Sequence, residues 1–116
     1  MEILVNTTNS KKDVVKAGNA TTTVKELKGK KEKMTGCVVY TREQVDGETG
    51  EVKNIKATAI RLSDGEYASS ISPTVYESVA LILATFTPDE VAKGIDIIIK
   101  AKKSAKGREF FYIDLA

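Results

Sequence analysis

The sequence predicts a mainly β fold with one long helix, and three observations lead to this prediction. Residues 34–71 are rich in Val, Ile, Thr and Tyr and are interrupted by glycine-containing turns. An apolar stripe with helical spacing follows directly, over residues 73–86. Residues 95–115 then return to strand-like alternation. With 116 residues in all, the chain suits a single domain with its own core.

The first 33 residues carry the weakest pattern. Residues 1–5 have the character of an edge strand and residues 21–24 that of a strand, but residues 25–33 are basic and contain a glycine. We therefore expect residues 1–33 to form a basic N-terminal extension that is peripheral or partly flexible. The folded domain is expected to occupy residues 34–116.

Three strands are predicted next. Residues 34–45 and 51–62 are two strand-like runs joined by a loop at residues 46–50, and this arrangement predicts a long β-hairpin. Residues 63–65, Ser-Asp-Gly, form a second turn, and residues 66–71 form a third, short strand.

The helix signals begin at Ser72-Pro73, which place an N-cap serine before a proline in the first helical turn. The apolar residues of the stripe are Val75, Val79, Ile82, Leu83 and Phe86. Thr87 and Glu90 match a capping box and predict a further short helix that ends near Gly94.

Two strands close the chain. The first has four apolar residues on one face: Ile95, Ile97, Ile99 and Ala101. The last strand has Phe111, Ile113 and Leu115 on one face and Phe110 and Tyr112 on the other. The resulting order, β-β-β-α-β-β, is that of the OB-fold, a five-stranded, partly open barrel whose loops border an oligonucleotide- or oligosaccharide-binding groove.

Charge is unevenly distributed along the chain. The net charge is only +2, but residues 1–33 carry +4 and residues 100–108 carry +5, while residues 34–99 carry −5. Two basic segments within a nearly neutral protein favour an anionic partner. The alternative is that these lysines only keep surface loops soluble.

The composition argues against an enzyme. There is no histidine, and the single cysteine, Cys37, lies in an apolar run that predicts a buried free thiol. Three acidic residues of the loop at 46–50 and its flank, Asp46, Glu48 and Glu51, fit a solvated turn better than a metal site. We expect no cofactor and no metal. No apolar run approaches the roughly 18 residues of a membrane span, and the N-terminus does not resemble a signal peptide, so we expect a cytoplasmic protein.

Cations and aromatic rings concentrate on the predicted barrel. The candidate binding residues are Lys102, Lys103, Lys106 and Arg108 in the last loop, Arg42, Lys53, Lys56 and Arg61 on the long hairpin, and the rings of Tyr40, Tyr67, Phe110 and Tyr112. Lysines contact phosphates, and exposed rings stack on bases of any identity, so the pattern favours single-stranded nucleic acid. Packing in the core or at its rim is the alternative for Phe110, and a core or interface position is favoured for Tyr76.

Two groups of residues also resemble a known family. They are Asp64-Gly65 with Ser69-x-Ile71-Ser72-x-Thr74-Val75, and Ser104-x-Lys106-Gly107-x-x-Phe110-Phe111 with a final Leu115. In this order and spacing they resemble the small single-stranded-DNA-binding proteins of tailed bacteriophages that infect Gram-positive bacteria. The resemblance covers residues 35–115, including the strand Thr58-Ala59-Ile60, and does not extend clearly over residues 1–33.

The resemblance implies an OB-type fold without enzymatic activity. It implies a protein that coats and protects single-stranded DNA during phage replication and recombination, in the cytoplasm of the host. Lys106 and Phe110 match the family's loop-and-strand motif. Tyr67 and Tyr112 match no aromatic residue of the family pattern, and are binding candidates only because they are rings on predicted strands. Replication or recombination proteins and a second copy of the chain are further partners to be tested. The alternatives are an OB-like protein-interaction module, such as an inhibitor of a host enzyme, and an RNA-binding OB module.

Overall fold

A computed structural model describes residues 2–116 of the chain. The strands are β1 (Glu2–Asn6), β2 (Thr22–Thr23), β3 (Lys31–Val45), β4 (Val52–Leu62), β5 (Tyr67–Ser70), β6 (Ile95–Lys103) and β7 (Glu109–Leu115). The helices are α1 (Lys11–Gly18), α2 (Pro73–Thr85) and α3 (Pro88–Lys93), and a 3₁₀ turn occupies Val24–Leu27. From β3 onward the elements follow the predicted β-β-β-α-β-β order, with α3 as the predicted short second helix.

The strands form one mainly β, OB-like sheet that curls into a half-barrel. Its strands lie in the order β2-β5-β4-β3-β6-β7, and β1 also pairs with β3. Strand β3 pairs with β4 from Met34 to Val45 on one side. On its other side, residues 31–34 pair with β6 and residues 38–41 pair with β1. A single long strand therefore connects the N-terminal strand, the hairpin and the C-terminal strands.

The sheet has two faces with different cover. We call the inner face the one that carries the main core cluster, which includes Met34, Ile60 and Ile97. The outer face is the opposite one. Helix α1 covers part of it, over a smaller buried cluster that includes Val38, Tyr40 and Tyr67.

The N-terminal segment is ordered around this sheet. Strand β1 pairs antiparallel with β3, which agrees with the edge strand predicted for residues 1–5. Met1 lies outside the described residues. Ala17 and Val24 are fully buried and Leu27 is nearly so. These three positions are core, not peripheral, because long-range pairing brings short and weakly patterned elements against the barrel. The boundary between a flanking segment and a domain at residue 33 stays a prediction.

Helix α2 packs on the inner face with its predicted stripe. Val75, Val79 and Ile82 are buried, and Leu83 and Phe86 pack against the same core. Two side chains of the helix also form hydrogen bonds with backbone groups on the free edge of β7. Thr74 Oγ1 donates to the carbonyl of Phe111 (2.6 Å), and the amide of Ile113 donates to Ser78 Oγ (3.0 Å). No helix within residues 2–116 has the length and apolarity needed to span a membrane.

Short-range signals also match the structure. Thr87 Oγ1 accepts from the amide of Glu90 (3.2 Å), and Glu90 Oε1 accepts from the amide of Thr87 (3.0 Å), which completes the predicted capping box. Gly94 ends α3 with φ +107°, a backbone conformation that favours glycine.

Cys37 is the buried free thiol that the sequence predicts. Burial raises the pKa of Cys37 to about 12, so the thiol stays protonated at neutral pH.

Thr58 presents a testable defect in the core. It is 1% exposed, and its hydroxyl makes no hydrogen bond with any group of residues 2–116. Thr58→Val keeps the shape and removes the unsatisfied hydroxyl, so we expect the free energy of unfolding to rise by about 1 kcal/mol in urea denaturation. Thr58→Ser keeps the hydroxyl and removes the methyl, and should lower the free energy of unfolding. A Val variant less stable than wild type would contradict the unsatisfied hydroxyl.

Candidate nucleic-acid interface

The loop between β6 and β7 is a tight, basic turn. Gly107 has φ +79° and donates to the carbonyl of Ser104 (2.9 Å), and the amide of Ser104 donates to the carbonyl of Arg108 (2.8 Å). Four exposed cations lie on or beside this turn: Lys102 and Lys103 at the end of β6, and Lys106 and Arg108 in the turn itself. We call these four residues the basic loop. None of them forms an ion pair with any acid in residues 2–116, so their charges are available to an anion.

Two aromatic rings lie on the outer face beside the basic loop. Phe111 and Ile113 belong to the inner core, and strand alternation therefore places Phe110 and Tyr112 on the outer face, as predicted. Both rings are partly exposed, and the ammonium of Lys102 lies 5.0 Å from the Tyr112 ring centroid. The C-terminal hairpin thus presents rings and cations on one surface.

An ion pair connects this hairpin to the N-terminal segment. Lys28 Nζ lies 2.8 Å from Glu109 Oε2 at the start of β7. The hydrogen bond from Lys28 lowers the pKa of Glu109, and the charges of Lys28, Lys103 and Lys25 act in the same direction. Cations from residues 25–28 and from the basic loop therefore both act on Glu109.

A groove opens on the outer face near the end of β5. It has a volume of about 360 Å³, and its walls include Lys25, Tyr40, Arg42 and Ile71. Arg42 is exposed, as a phosphate contact requires, whereas Tyr40 is 4% exposed and packs with Ala57 under α1. The buried ring of Tyr40 forms a wall of the groove and offers no open face for stacking, contrary to the prediction.

A second groove shares Ile71 with the first but lies on the inner-face side of the sheet edge, because Lys56 and Ala57 point to opposite faces of β4 and Tyr76 packs against the inner core. It has a volume of about 320 Å³ and is lined by Lys56, Ser72, Tyr76 and Glu77 together with Ile71. The ammonium of Lys56 lies 4.0 Å from the Tyr76 ring centroid. We call the two grooves together the Ile71 groove.

The side chains of Arg61 and Tyr67 bond to other protein groups and are not free to contact a ligand. The Tyr67 hydroxyl donates to Asp13 Oδ1 (2.9 Å), and Arg61 Nη1 lies 3.5 Å from the same oxygen. Arg61 also donates through Nε to Thr35 Oγ1 (3.0 Å) and through Nη2 to the carbonyl of Thr35 (3.1 Å). We call Asp13, Thr35, Arg61 and Tyr67 the Asp13 network. It joins α1 to the sheet, so the prediction that Tyr67 stacks on bases does not fit its 3% exposure.

The Asp13 network perturbs two acidities. Burial raises the pKa of Asp13, but hydrogen bonds with Tyr67 and Ser10 and the charge of Arg61 outweigh it, so the pKa lies below its ordinary value. For Tyr67, burial and the neighbouring Asp13 carboxylate both raise the pKa. The network is therefore held with Asp13 ionised and Tyr67 neutral.

The long hairpin beyond the barrel holds the remaining candidates. Lys53 is exposed and lies opposite Gln44 near the tip of the β3–β4 hairpin. It is therefore on a different hairpin from the basic loop. At the hairpin tip, Asp46 Oδ1 accepts from the amides of Glu48 (2.8 Å) and Thr49 (3.3 Å), so its carboxylate organises the turn. Within the described part of the chain, no three acidic or cysteine side chains cluster as metal ligands.

The predicted residues therefore lie in separate places. The basic loop, Phe110 and Tyr112 share one hairpin, Tyr40, Arg42 and Lys56 line the Ile71 groove, and Arg61 and Tyr67 belong to the Asp13 network. Lys25 and Ile71 are groove residues that the sequence did not indicate. Strand and turn patterns cannot indicate that residues so far apart in the chain border one groove.

Comparison with family models decides the membership of the chain. Residues 3–116 match the family described as phage single-stranded DNA-binding protein. The chain belongs to this family. No curated protein and no solved structure matches the chain. The match confirms the resemblance found in the sequence.

The family match extends the resemblance in one respect. The motifs quoted from the sequence begin at residue 35, whereas the match begins at residue 3 and therefore includes β1 and α1. The family motif Asp64–Val75 is structural here: Asp64 Oδ1 accepts from the amide of Glu66 (2.9 Å), and Gly65 has φ +84°. Thr74, from the same motif, holds the edge of β7.

Proposed function

We propose that this phage single-stranded-DNA-binding protein coats single-stranded DNA without sequence preference during phage DNA replication and recombination. Phosphates contact the basic loop, and bases stack on Phe110 and Tyr112. The observation that supports the mechanism is the arrangement of the C-terminal hairpin, where four cations that form no ion pair within residues 2–116 adjoin two partly exposed rings. Phosphate contact and stacking read no base edge, so they suit sequence-neutral binding.

Single strands fit this surface better than a duplex. The cations are spread over a loop and strands, and α2 carries no Lys or Arg from Pro73 to Thr85, so it lacks the contacts of a major-groove recognition helix. A base can reach the plane of Phe110 or Tyr112 only where it is not paired and stacked within a helix.

The first test is a titration with oligo-dT of about 35 nucleotides, a length that spans several of the site sizes typical of one OB-fold. The chain has four tyrosines and no tryptophan, so binding is followed by quenching of tyrosine fluorescence. Four loop contacts alone predict a log–log slope of affinity against salt of about −3. Equal affinity for a duplex of the same length would overturn the stacking mechanism.

Two comparisons sharpen the result. An RNA oligonucleotide of the same length and base composition tests the RNA-binding alternative, because only RNA offers a 2′-hydroxyl. If neither oligonucleotide binds at low salt, the alternative of a protein-interaction module is favoured. Contacts with replication or recombination proteins and with a second copy of the chain stay predictions.

Tyr112 allows a direct check of stacking. We expect Tyr112→Phe to retain affinity, because phenylalanine also stacks, but to show a smaller quenching amplitude than wild type. We expect Tyr112→Ala to bind about 5- to 150-fold more weakly, the range that corresponds to 1–3 kcal/mol of stacking. An unchanged quenching amplitude in Tyr112→Phe would remove Tyr112 from the interface.

A further inference from the structure

The Ile71 groove combines an exposed apolar side chain, a ring and three cations. Ile71 is 55% exposed and forms the ridge that both halves of the groove share. One half contributes Lys25 and Arg42, and the other contributes Lys56 and Tyr76. An apolar ridge flanked by cations and a ring matches the amphipathic nature of a single-stranded nucleotide, which has an apolar base plane and an anionic phosphate.

The charge of the groove is unbalanced. Its three cations, Lys25, Arg42 and Lys56, form no ion pair with any acid in residues 2–116, and the groove's only acidic lining residue in that part of the chain is Glu77. An excess of unpaired cations favours an anionic occupant and disfavours a plain apolar one.

The ring of Tyr76 is already arranged for exchange. It is partly exposed, and the Lys56 ammonium occupies one face at 4.0 Å from the centroid. A contact of this kind at a partly exposed site contributes about 0.5–1 kcal/mol, less than the 1–3 kcal/mol of base stacking. A base can therefore replace the ammonium, and the flexible lysine stem then allows the ammonium to reach the phosphate of the same nucleotide.

The 3₁₀ turn at Val24–Leu27 links the groove to the C-terminal hairpin. Lys25 lines the groove, and its charge acts on Glu109 together with that of Lys103 from the basic loop. The ion pair between Lys28 and Glu109 lies at this same boundary. Lys25 is thus a cation that the groove and the surroundings of the basic loop share.

We propose that the Ile71 groove is a second nucleotide subsite on the single-stranded DNA path, in which one base stacks on Tyr76 and Lys56 and Arg42 contact phosphates. This subsite rests on the proposed function, because it extends the same strand beyond the C-terminal hairpin. The bound strand crosses Ile71, whose side chain separates the base on Tyr76 from the next nucleotide in the half lined by Tyr40. The C-terminal hairpin and this groove together then define the site size.

The test uses the full chain with the same oligo-dT and three variants of the tyrosines. Tyr76→Phe should keep the affinity and reduce the quenching amplitude. The double variant Tyr76→Phe/Tyr112→Phe should lose most of the quenching, because Tyr40 and Tyr67 are 4% and 3% exposed. Tyr76→Leu should weaken binding by about 5- to 150-fold without changing the salt slope.

Charge variants test the phosphate contact separately. Lys56→Met keeps the stem and removes the charge, and should flatten the log–log salt slope by about 0.7, the effect of one contact. Lys93→Met is the matched control, because Lys93 is exposed on α3 outside both grooves, and it should leave the slope unchanged.

The outcomes separate the two proposals. Absence of wild-type binding to oligo-dT would overturn the proposed function itself. Normal wild-type binding with full quenching in Tyr76→Phe, or with an unchanged salt slope in Lys56→Met, would overturn only the subsite. Because Tyr76 also packs against the core, the thermal unfolding of Tyr76→Leu is measured alongside, and the phenylalanine variant keeps the test valid if leucine destabilises the fold.

Discussion

Neutralising the basic loop should make DNA binding much less sensitive to salt. In the variant Lys102→Gln/Lys103→Gln/Lys106→Gln/Arg108→Gln, four phosphate contacts are lost, each contributing about 0.7 to the log–log salt slope. The slope should therefore be flatter than that of wild type by nearly 3. If the two lines meet at about 1 M salt, the variant binds about 4,000-fold more weakly at about 50 mM.

A charge-matched control separates the loop from the net charge of the protein. Its four substitutions, all to glutamine, are at exposed lysines outside the loop: Lys11, Lys12, Lys16 and Lys93. We expect this control to change the slope little, because long-range attraction is screened beyond about 10 Å at about 0.1 M salt. An equal loss of affinity in both variants would show that net charge, and not the loop, carries the binding. The loop cations make no ion pairs within residues 2–116, and Lys102 contacts the Tyr112 ring, so the loop variant should lose no more than about 1 kcal/mol of stability.

Asp13→Asn should loosen helix α1 from the sheet. The carboxylate of Asp13 accepts from the Tyr67 hydroxyl and pairs with Arg61, and the side chains of Asp13 and Arg61 are only 21% and 25% exposed. Asparagine leaves the Arg61 charge without its counter-ion in a partly buried place. Allowing for this partial exposure, we expect the free energy of unfolding at pH 7 to fall by about 1–3 kcal/mol, measured by urea denaturation.

The same substitution should change the acid sensitivity of the fold. The pKa of Asp13 is lower in the folded than in the unfolded chain, so its contribution is complete above the unfolded value of about 3.9. The contribution is lost as the pH falls from about 3.9 through the lowered folded value. The difference in stability between wild type and Asp13→Asn should therefore be largest at neutral pH and should shrink below about pH 4.

Two features keep this experiment interpretable. Glu109 and Asp114 also have lowered pKa values, through hydrogen bonds from Lys28 and Lys100, but both are present in wild type and in the variant. Tyr67→Phe removes one hydrogen bond and keeps the ion pair, so it should destabilise less than Asp13→Asn. A stability difference that is constant from pH 7 to about pH 3 would show that Asp13 is not the titrating group.

Local sequence signals were sufficient for most of the barrel. The two-residue alternation of β7 placed Phe111 and Ile113 on one face and Phe110 and Tyr112 on the other, as the structure has them. The capping box of Thr87 and Glu90 and the turn at Gly94 also follow from residues close in sequence. Such features are predictable because the interactions that determine them span only a few residues.

The burial of residues in the N-terminal segment could not be predicted from local patterns. Val24 and Leu27 enter the main core through a four-residue 3₁₀ turn, which is too short to show a period. The burial of Tyr67 depends on Asp13, 54 residues earlier in the chain. A tyrosine on a predicted strand gives no sign that a distant helix will cover it.

The sequence by itself determined the OB-like order of elements, the buried cysteine, the family and the basic loop, because each depends on composition or on near neighbours. Only the tertiary structure decided which rings and cations remain available to a ligand. Tyr40, Arg61 and Tyr67 are covered or engaged by α1 and its contacts, while Lys56 and Tyr76 meet at the Ile71 groove. The physical reason is that exposure and pairing are properties of surfaces brought together by long-range contacts, and no local pattern encodes them.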